Sequence, residues 1–223
     1  MEIIIYGGKI ENSGKEEVMI LTSKELQVKK IHANTIEMVE LIAVEVKTKE
    51  GDIIIATIYM PPQTKTWEKE RYTELIENTT KSTRALLQHT EDKAKRIILN
   101  GDFNSNVNWE SMETKGNENQ WVNKLVELTQ DFLLYQHMTA NTRKRGLDEL
   151  SLLDLVFTRQ KEDIESIIYN PPLGKSDHVL LEYDFIVAYE IIHENENYKN
   201  QLNYKKGDYE ELRKYFKGIK WEQ

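Results

Sequence analysis

Hydrophobic positions along this 223-residue chain fall in short dense runs, separated by two longer stretches with helical spacing. Residues 17–23 ("EVMILTS"), 39–48 ("VELIAVEVKT") and 52–60 ("DIIIATIYM") carry aliphatic and β-branched side chains over strand-like lengths, which predicts strands. The "KTKEG" between the last two is polar, short and closed by Gly51, as a hairpin connection requires. Pro61 and Pro62 then stop the strand, because neither can donate to a ladder. Across 67–90, Tyr72, Leu75, Ile76, Leu86 and Leu87 form an interrupted apolar stripe and predict a long helix. "RIILNGDFN" (96–104) reads as the next strand and 105–120 as a polar loop. Trp121, Leu125, Leu128 and Phe132 then recur at helical spacing, and further strands are predicted at 151–158, 164–170 and 178–187.

From residue 188 the chain is highly charged, and only 208–219 ("DYEELRKYFKGI") has the pattern of a short amphipathic helix. The division is therefore a folded domain over 1–187 and a charged C-terminal linker over 188–223. Many strands with few helices in mixed order imply an α/β sandwich, two packed mixed β-sheets with helices outside.

Composition narrows the function classes. Hydrophobic residues at 39% and charged residues at 30% describe a globular chain with a polar surface. No apolar run is long enough to span a membrane, and "MEIIIYGGKI" does not read as a secretory signal. The absence of cysteine excludes disulfides and thiolate metal sites and fits a reducing, intracellular compartment. A net charge of −8 disfavours a general nucleic-acid coat, which works by neutralising phosphates with Lys and Arg. An enzyme acting on nucleic acid through a metal and a local basic patch stays open, and "NTRKRG" and "RKYFKGIK" show that cations cluster.

Polar residues gather where apolar runs begin and end. Tyr59 closes one run, Asp102 and Asn104 another; Asp177 and His178 stand just before a third. Each has an ordinary explanation taken singly, as turn, cap or core residue. Asp154 resists one, because a carboxylate between "SLL" and "LVF" is placed for burial and then needs a partner, for which His178 is the candidate. Asp102, Asn104 and Asp177 offer the oxygen ligands a hard cation prefers, and Asp154 would orient the His178 imidazole. Tyr59 adds a donor for a phosphate oxygen. Together these are parts of metal-assisted phosphodiester hydrolysis. Arg143, Lys144 and Arg145 form a basic loop that could contact phosphate, and Trp109 and Trp121 could stack on bases, with core packing as their alternative.

The ordered series "YMPP", "NGDFN", "SLLDLVFT" and "SDH" resembles the endonuclease/exonuclease/phosphatase superfamily. Within it, the chain is similar to the apurinic-type endonuclease domain of non-LTR retrotransposons of the jockey and R1 kind. "NTRKRGLDELSLLDLVFTR" looks like the segment before that family's orienting aspartate, and "NYKKGDYEELRKYFKGIKWE" like the tract leading to a reverse transcriptase. The resemblance implies a DNase I-like four-layered sandwich and a Mg²⁺-dependent endonuclease, with Mn²⁺ as the alternative metal. It implies DNA nicking that leaves a 3′-hydroxyl, a monomer without membrane association, and a nuclear location if the retrotransposon role holds. Carried onto this sequence, Tyr59 would contact the scissile phosphate and Asp102 would position or deprotonate the attacking water. Asn104 would hold the phosphate, Asp154 would pair with His178, and His178 would stabilise developing charge. Asp177 would lie at the metal, and Arg143 and Arg145 would bind substrate.

One departure matters. The family's opening asparagine and its metal-ligating glutamate have no counterpart before "EEVMILTS". Glu2, Glu11, Glu16 and Glu17 are available there, but none follows a strand in the expected context. The expectation is an N-terminally truncated domain that lacks its first strands, with weakened or lost activity. The other readings are an inactive descendant that binds nucleic acid or protein, and a phosphatase or RNase of the same superfamily.

Overall fold

The computed structural model describes residues 3–7, 18–31, 39–93, 95–114, 120–144, 146, 150–186, 210, 211 and 214. The chain divides into two units, Met1–Tyr189 and Glu190–Gln223. In the second, Glu210, Glu211 and Lys214 are helical and fall within the helix predicted over 208–219.

The first unit is built on a six-stranded mixed sheet in the order β3-β4-β5-β6-β10-β9. Its strands are β3 (Val28–Ile31), β4 (Glu40–Val46), β5 (Ile53–Tyr59), β6 (Arg96–Asp102), β10 (Asp154–Thr158) and β9 (Tyr135–Gln136). All neighbours are antiparallel except β5 and β6. Two parallel neighbours cannot be joined by a tight turn. The 24-residue helix α1 (Lys69–Asp92) makes the crossover after Pro61 and Pro62 have ended β5. The second helix, α2 (Gln120–Asp131), buries Trp121, Val122, Leu125 and Leu128.

Register assigns each residue of the sheet to a face, because partnered residues project the same way. Ile54, Ala56 and Ile58 pair with Ile97, Leu99 and Gly101. Phe157 pairs with Leu99 and so shares their face. There it meets Phe103 edge-on at 5.4 Å, and Phe103 stacks on Trp121 of α2. Trp121 Nε1 donates to the Phe103 carbonyl at 2.7 Å, so its polar atom is satisfied although the side chain is fully buried. Trp121 is thus core, and Trp109 is partly buried with its ring against Phe157. Arg159 ties both helix ends to this face. Its guanidinium donates to the Leu87 and Phe132 carbonyls and to Thr90 Oγ1, each at 3.0 Å. Helix C-termini carry unsatisfied carbonyls and partial negative charge, so one cation serves both.

The opposite face is met by a hairpin of β11 (Ile164–Asn170) and β12 (Leu180–Phe185). A second ladder pairs β1 (Ile3–Gly7) with β2 (Met19–Ser23), and a minor one pairs β7 (Val107–Asn108) with β8 (Glu113–Thr114). The described residues thus show one six-stranded sheet and three two-stranded ladders, within the mixed α/β, DNase I-like class expected from sequence. A two-stranded hairpin is marginal alone, so β11–β12 depends on what it packs against.

The predicted strands at 17–23, 39–48, 52–60, 96–104, 151–158, 164–170 and 178–187 are all present, that at 164–170 with the predicted bounds and the others shorter by one to a few residues at an end. Strands β1, β3, β7, β8 and β9 were not legible. The run "IIIY" in β1 is too short to stand out, and β3 reads "VKKI", whose lysines are typical of an edge strand. The remaining three have only two residues each.

Gly101 illustrates how tightly β5 and β6 meet. Its φ is +142°, and a Cβ built on it would lie 1.9 Å from the Ile58 carbonyl oxygen. That obstacle is backbone and cannot swing aside. Gly101→Ala is therefore expected to cost about 3 kcal/mol or more, read by denaturant unfolding; a loss under about 1 kcal/mol would show that the strands can separate without penalty.

Candidate active site

The site begins with a row of paired residues. Glu40 of β4 pairs with Tyr59 of β5, Tyr59 with Asp102 of β6, and Asp102 with Asp154 of β10. Partnered residues share a face, so the four stand side by side across one end of the sheet, on the face met by the β11–β12 hairpin. This is the C-terminal end of the parallel pair, where functional groups of α/β sheets collect. All four are half-buried.

Asp102 is the constrained member. The backbone N–H of Asn104 donates to Asp102 Oδ1 at 3.0 Å, an Asx-type turn that puts Asn104 at φ +42°. The Asn104 side-chain amide donates to the Met60 carbonyl at 3.0 Å, and Met60 N–H donates to the Asp102 carbonyl at 2.9 Å. "YMPP" and "GDFN" are thus stitched together by hydrogen bonds. Burial raises the Asp102 carboxyl from 3.8 to about 6, the negative charge of Asp154 adds to the rise, and the Asn104 N–H and His178 act against it.

Asp154 opens β10, and its backbone N–H and that of Leu153 both donate to Thr142 Oγ1, at 3.0 and 3.1 Å. Thr142 is fully buried, and its carbonyl accepts from Val179. The Asp154 side chain accepts a 2.8 Å hydrogen bond from His178 Nδ1. This orients the ring and leaves Nε2 facing away from Asp154. Ser176 closes the turn before it, its hydroxyl accepting from His178 N–H at 3.1 Å.

One carboxylate oxygen from Asp102, one from Asp154 and a His178 ring nitrogen lie within 4.8 Å of one another. Two carboxylates and an imidazole at that spacing are a group that could hold a metal ion.

The other sequence candidates fall around this group. Asp177 stands outside it. Its Oδ2 accepts from Arg143 Nε at 3.0 Å, which holds the carboxyl below its usual range, and its Oδ1 lies 4.0 Å from His178 Nε2. Arg143 also forms β-bridges to Ser151 and His178, so the basic loop is part of the site's frame. Arg145, like Glu2, Glu11, Glu16 and Glu17, lies outside the described residues. Sequence reasoning missed Thr142, hidden in a stretch read only for its charge. It also missed Glu40, which only strand register places beside Tyr59.

The ionised Asp102 weakens the fold that holds it. Its folded-state pKa lies above the unfolded value, so the folded chain grips the proton more tightly. The associated stability is fully present below about pH 4 and is lost as the pH rises through about 6. In metal-free buffer Asp102→Asn should therefore be more stable than the parent at pH 7.5, by about 2–3 kcal/mol. Denaturant unfolding should show that margin disappearing at pH 4. An equal margin at both pH values would exclude a buried charge as its source.

Comparison with known proteins places this geometry. A family model described as endonuclease-reverse transcriptase matches residues 53–182, more than half of the chain. The endonuclease domain of TRAS1, a telomere-specific non-LTR retrotransposon, is 16% identical with a TM-score of 0.62, over 82% of this chain and 78% of that one. The 3′ phosphatase NExo from Neisseria, bound to product DNA hairpin, is 14% identical with a TM-score of 0.55, over 83% and 79%. An endonuclease/exonuclease/phosphatase family protein from Leptotrichia buccalis is 15% identical with a TM-score of 0.52, over 83% and 72%. No curated protein matches the sequence significantly. The structural likenesses fix the DNase I-like fold, and the family model, covering the segments that carry Tyr59, Asp102, Asp154 and His178, shows that this chain belongs to the endonuclease-reverse transcriptase family.

Proposed function

We propose that the chain is a metal-dependent phosphodiesterase that nicks DNA and leaves a 3′-hydroxyl. The observation that carries this reading is the meeting of Asp102, Asp154 and His178 within 4.8 Å at the end of β5 and β6. The structural relatives, an endonuclease domain and a DNA-bound 3′ phosphatase, are compatible with phosphate-ester chemistry.

The charge balance explains why a cation is needed. A phosphate approaching Tyr59 meets Asp102 on one neighbouring strand and Glu40 on the other. Arg143 is already engaged by Asp177. An anion entering this row is repelled unless a divalent ion intervenes. Asp102 and Asp154 would hold Mg²⁺ or Mn²⁺; the ion would neutralise the phosphate and stabilise charge in the transition state. Substrate phosphate competing for Arg143 would release the Asp177 carboxylate toward the same cation. Arg145 would add a second basic contact from the same loop.

The residues divide the remaining work. Asp102, with its carboxyl fixed by the Asn104 N–H, orients the attacking water and accepts its proton. Tyr59 donates to a phosphate oxygen. Asn104 anchors the Met60 carbonyl and with it the turn that presents Tyr59. His178, steered by Asp154, presents Nε2 to the oxygen on which charge accumulates. No glutamate is among the three groups gathered here, so metal affinity should be lower than in a domain with an additional carboxylate ligand.

Purified chain is expected to convert supercoiled plasmid to the nicked form with Mg²⁺ or Mn²⁺ and not with chelator. Asp102→Ala and His178→Ala should each lower the rate by about 10²-fold or more, and polymerase extension from the nick should report the 3′-hydroxyl. A folded chain that does not nick with either metal would sink the reading and favour the inactive descendant.

A further inference from the structure

The β11–β12 hairpin delivers His178 to the site, yet nothing in its own ladder fixes where it sits along β6. Its ladder joins β11 to β12 alone, while the segment just before β12 is bonded to residues 142–144, with Val179 N–H on the Thr142 carbonyl at 2.8 Å and Lys144 N–H on the Asp177 carbonyl at 2.9 Å. Apolar packing between two layers is non-directional and would tolerate sliding. Directional contacts must set the position, and they occur on alternating residues. On β12, Leu181, Tyr183 and Phe185 are half-buried while Leu180, Glu182 and Asp184 alternate with them. On β6, Arg96, Asn100 and Asp102 lie on one face at even spacing.

Two contacts join these rows. At the far end the Arg96 guanidinium lies over the Phe185 ring, 4.4 Å from its centroid, and Arg96 also pairs with the buried Asp163. Nearer the site, Asn100 Nδ2 donates to Tyr183 Oη at 2.6 Å. Asn100 is one pleat below Asp102, and β12 starts two residues after His178. Burial raises the Tyr183 hydroxyl's pKa, with Asn100 as its hydrogen-bonding partner. A part-buried amide–phenol pair is costly to leave unmatched, so it favours one register between the strands.

We propose that Asn100 and Tyr183 are positioning residues that pin the β11–β12 hairpin along β6 and thereby hold His178 against Asp154 and Asp102. Neither touches the reacting phosphate. They act through strand placement, with Asn100 carried by the strand of the base and Tyr183 by the strand that begins two residues after the imidazole. The proposal rests on the phosphodiesterase reading for its functional consequence, but its structural content stands apart from any activity.

Tyr183→Phe removes only the hydroxyl and is the first variant to make; Asn100→Ala removes the other partner. Tyr169→Phe is the control, since that hydroxyl sits on β11 of the same hairpin and accepts from the Thr139 and Ala140 N–H groups instead. Proton NMR of the metal-free chain should show a low-field signal from the His178 N–H held by Asp154, identified by its loss in Asp154→Asn. The signal should weaken or vanish in Tyr183→Phe and Asn100→Ala and persist in Tyr169→Phe at matched thermal stability. In the Mg²⁺ plasmid assay, kcat should fall about tenfold for both pin variants with KM little changed. A persistent signal in Tyr183→Phe, or equal loss in Tyr169→Phe, would overturn the proposal. A wild-type chain that shows the signal and its loss in Tyr183→Phe but never nicks would support the pin while refuting the phosphodiesterase.

Discussion

The parallel pairing of β5 and β6 is the constraint on which the site depends. It brings Tyr59 next to Asp102, residues 43 positions apart in sequence, and joins the segments "YMPP" and "GDFN" through Met60 and Asn104. Such a pair is intrinsically demanding. It needs a crossover, here α1, and an approach so close that residue 101 can carry no side chain. Once the two strands are zipped, antiparallel neighbours extend the row, adding Glu40 on one side and Asp154 on the other.

What the row gains in chemistry it loses in stability. Asp102 sits beside Asp154 in a half-buried setting, and its carboxyl is driven up to about 6. A chain selected only for stability would place apolar residues there, as it does two rows below with Ile98 and Ile55. The conflict is contained by local hydrogen bonds: Asn104 N–H on Asp102, Thr142 Oγ1 on the start of β10, and His178 on Asp154. Strain and buried charge at one edge, surrounded by a well-satisfied core, is the pattern of a functional site in an otherwise self-consistent sequence.

The second layer has a different logic. The helix-covered face of the large sheet is closed by aromatic packing and by the Arg159 guanidinium on two helix ends. The opposite face receives the β11–β12 hairpin, joined to β6 by the Asn100–Tyr183 hydrogen bond and by the Arg96 guanidinium over Phe185. Site geometry is therefore shared between a rigid sheet, which fixes the carboxylates, and a hairpin, which must be registered onto it to bring the imidazole.

The sequence by itself determined the long strands, the two helices and the presence of chemistry at strand ends. Alternating and continuous apolar runs are local signals, and a carboxylate inside "SLLDLVF" is anomalous without any structure. The pairing of Asp154 with His178 was legible too, because a buried carboxylate demands a partner and His178 was the histidine at a strand boundary. Tertiary structure decided the rest. It committed Asp177 to Arg143 rather than to the carboxylate cluster, buried Trp121 in the core, and drew Thr142 out of a basic loop to organise two strands. It also put Glu40 in the row and set Tyr183 on Asn100 across 83 residues of sequence. Register and layer packing are non-local, and a one-residue slip would send each of these side chains to the other face, so no local pattern could have specified them.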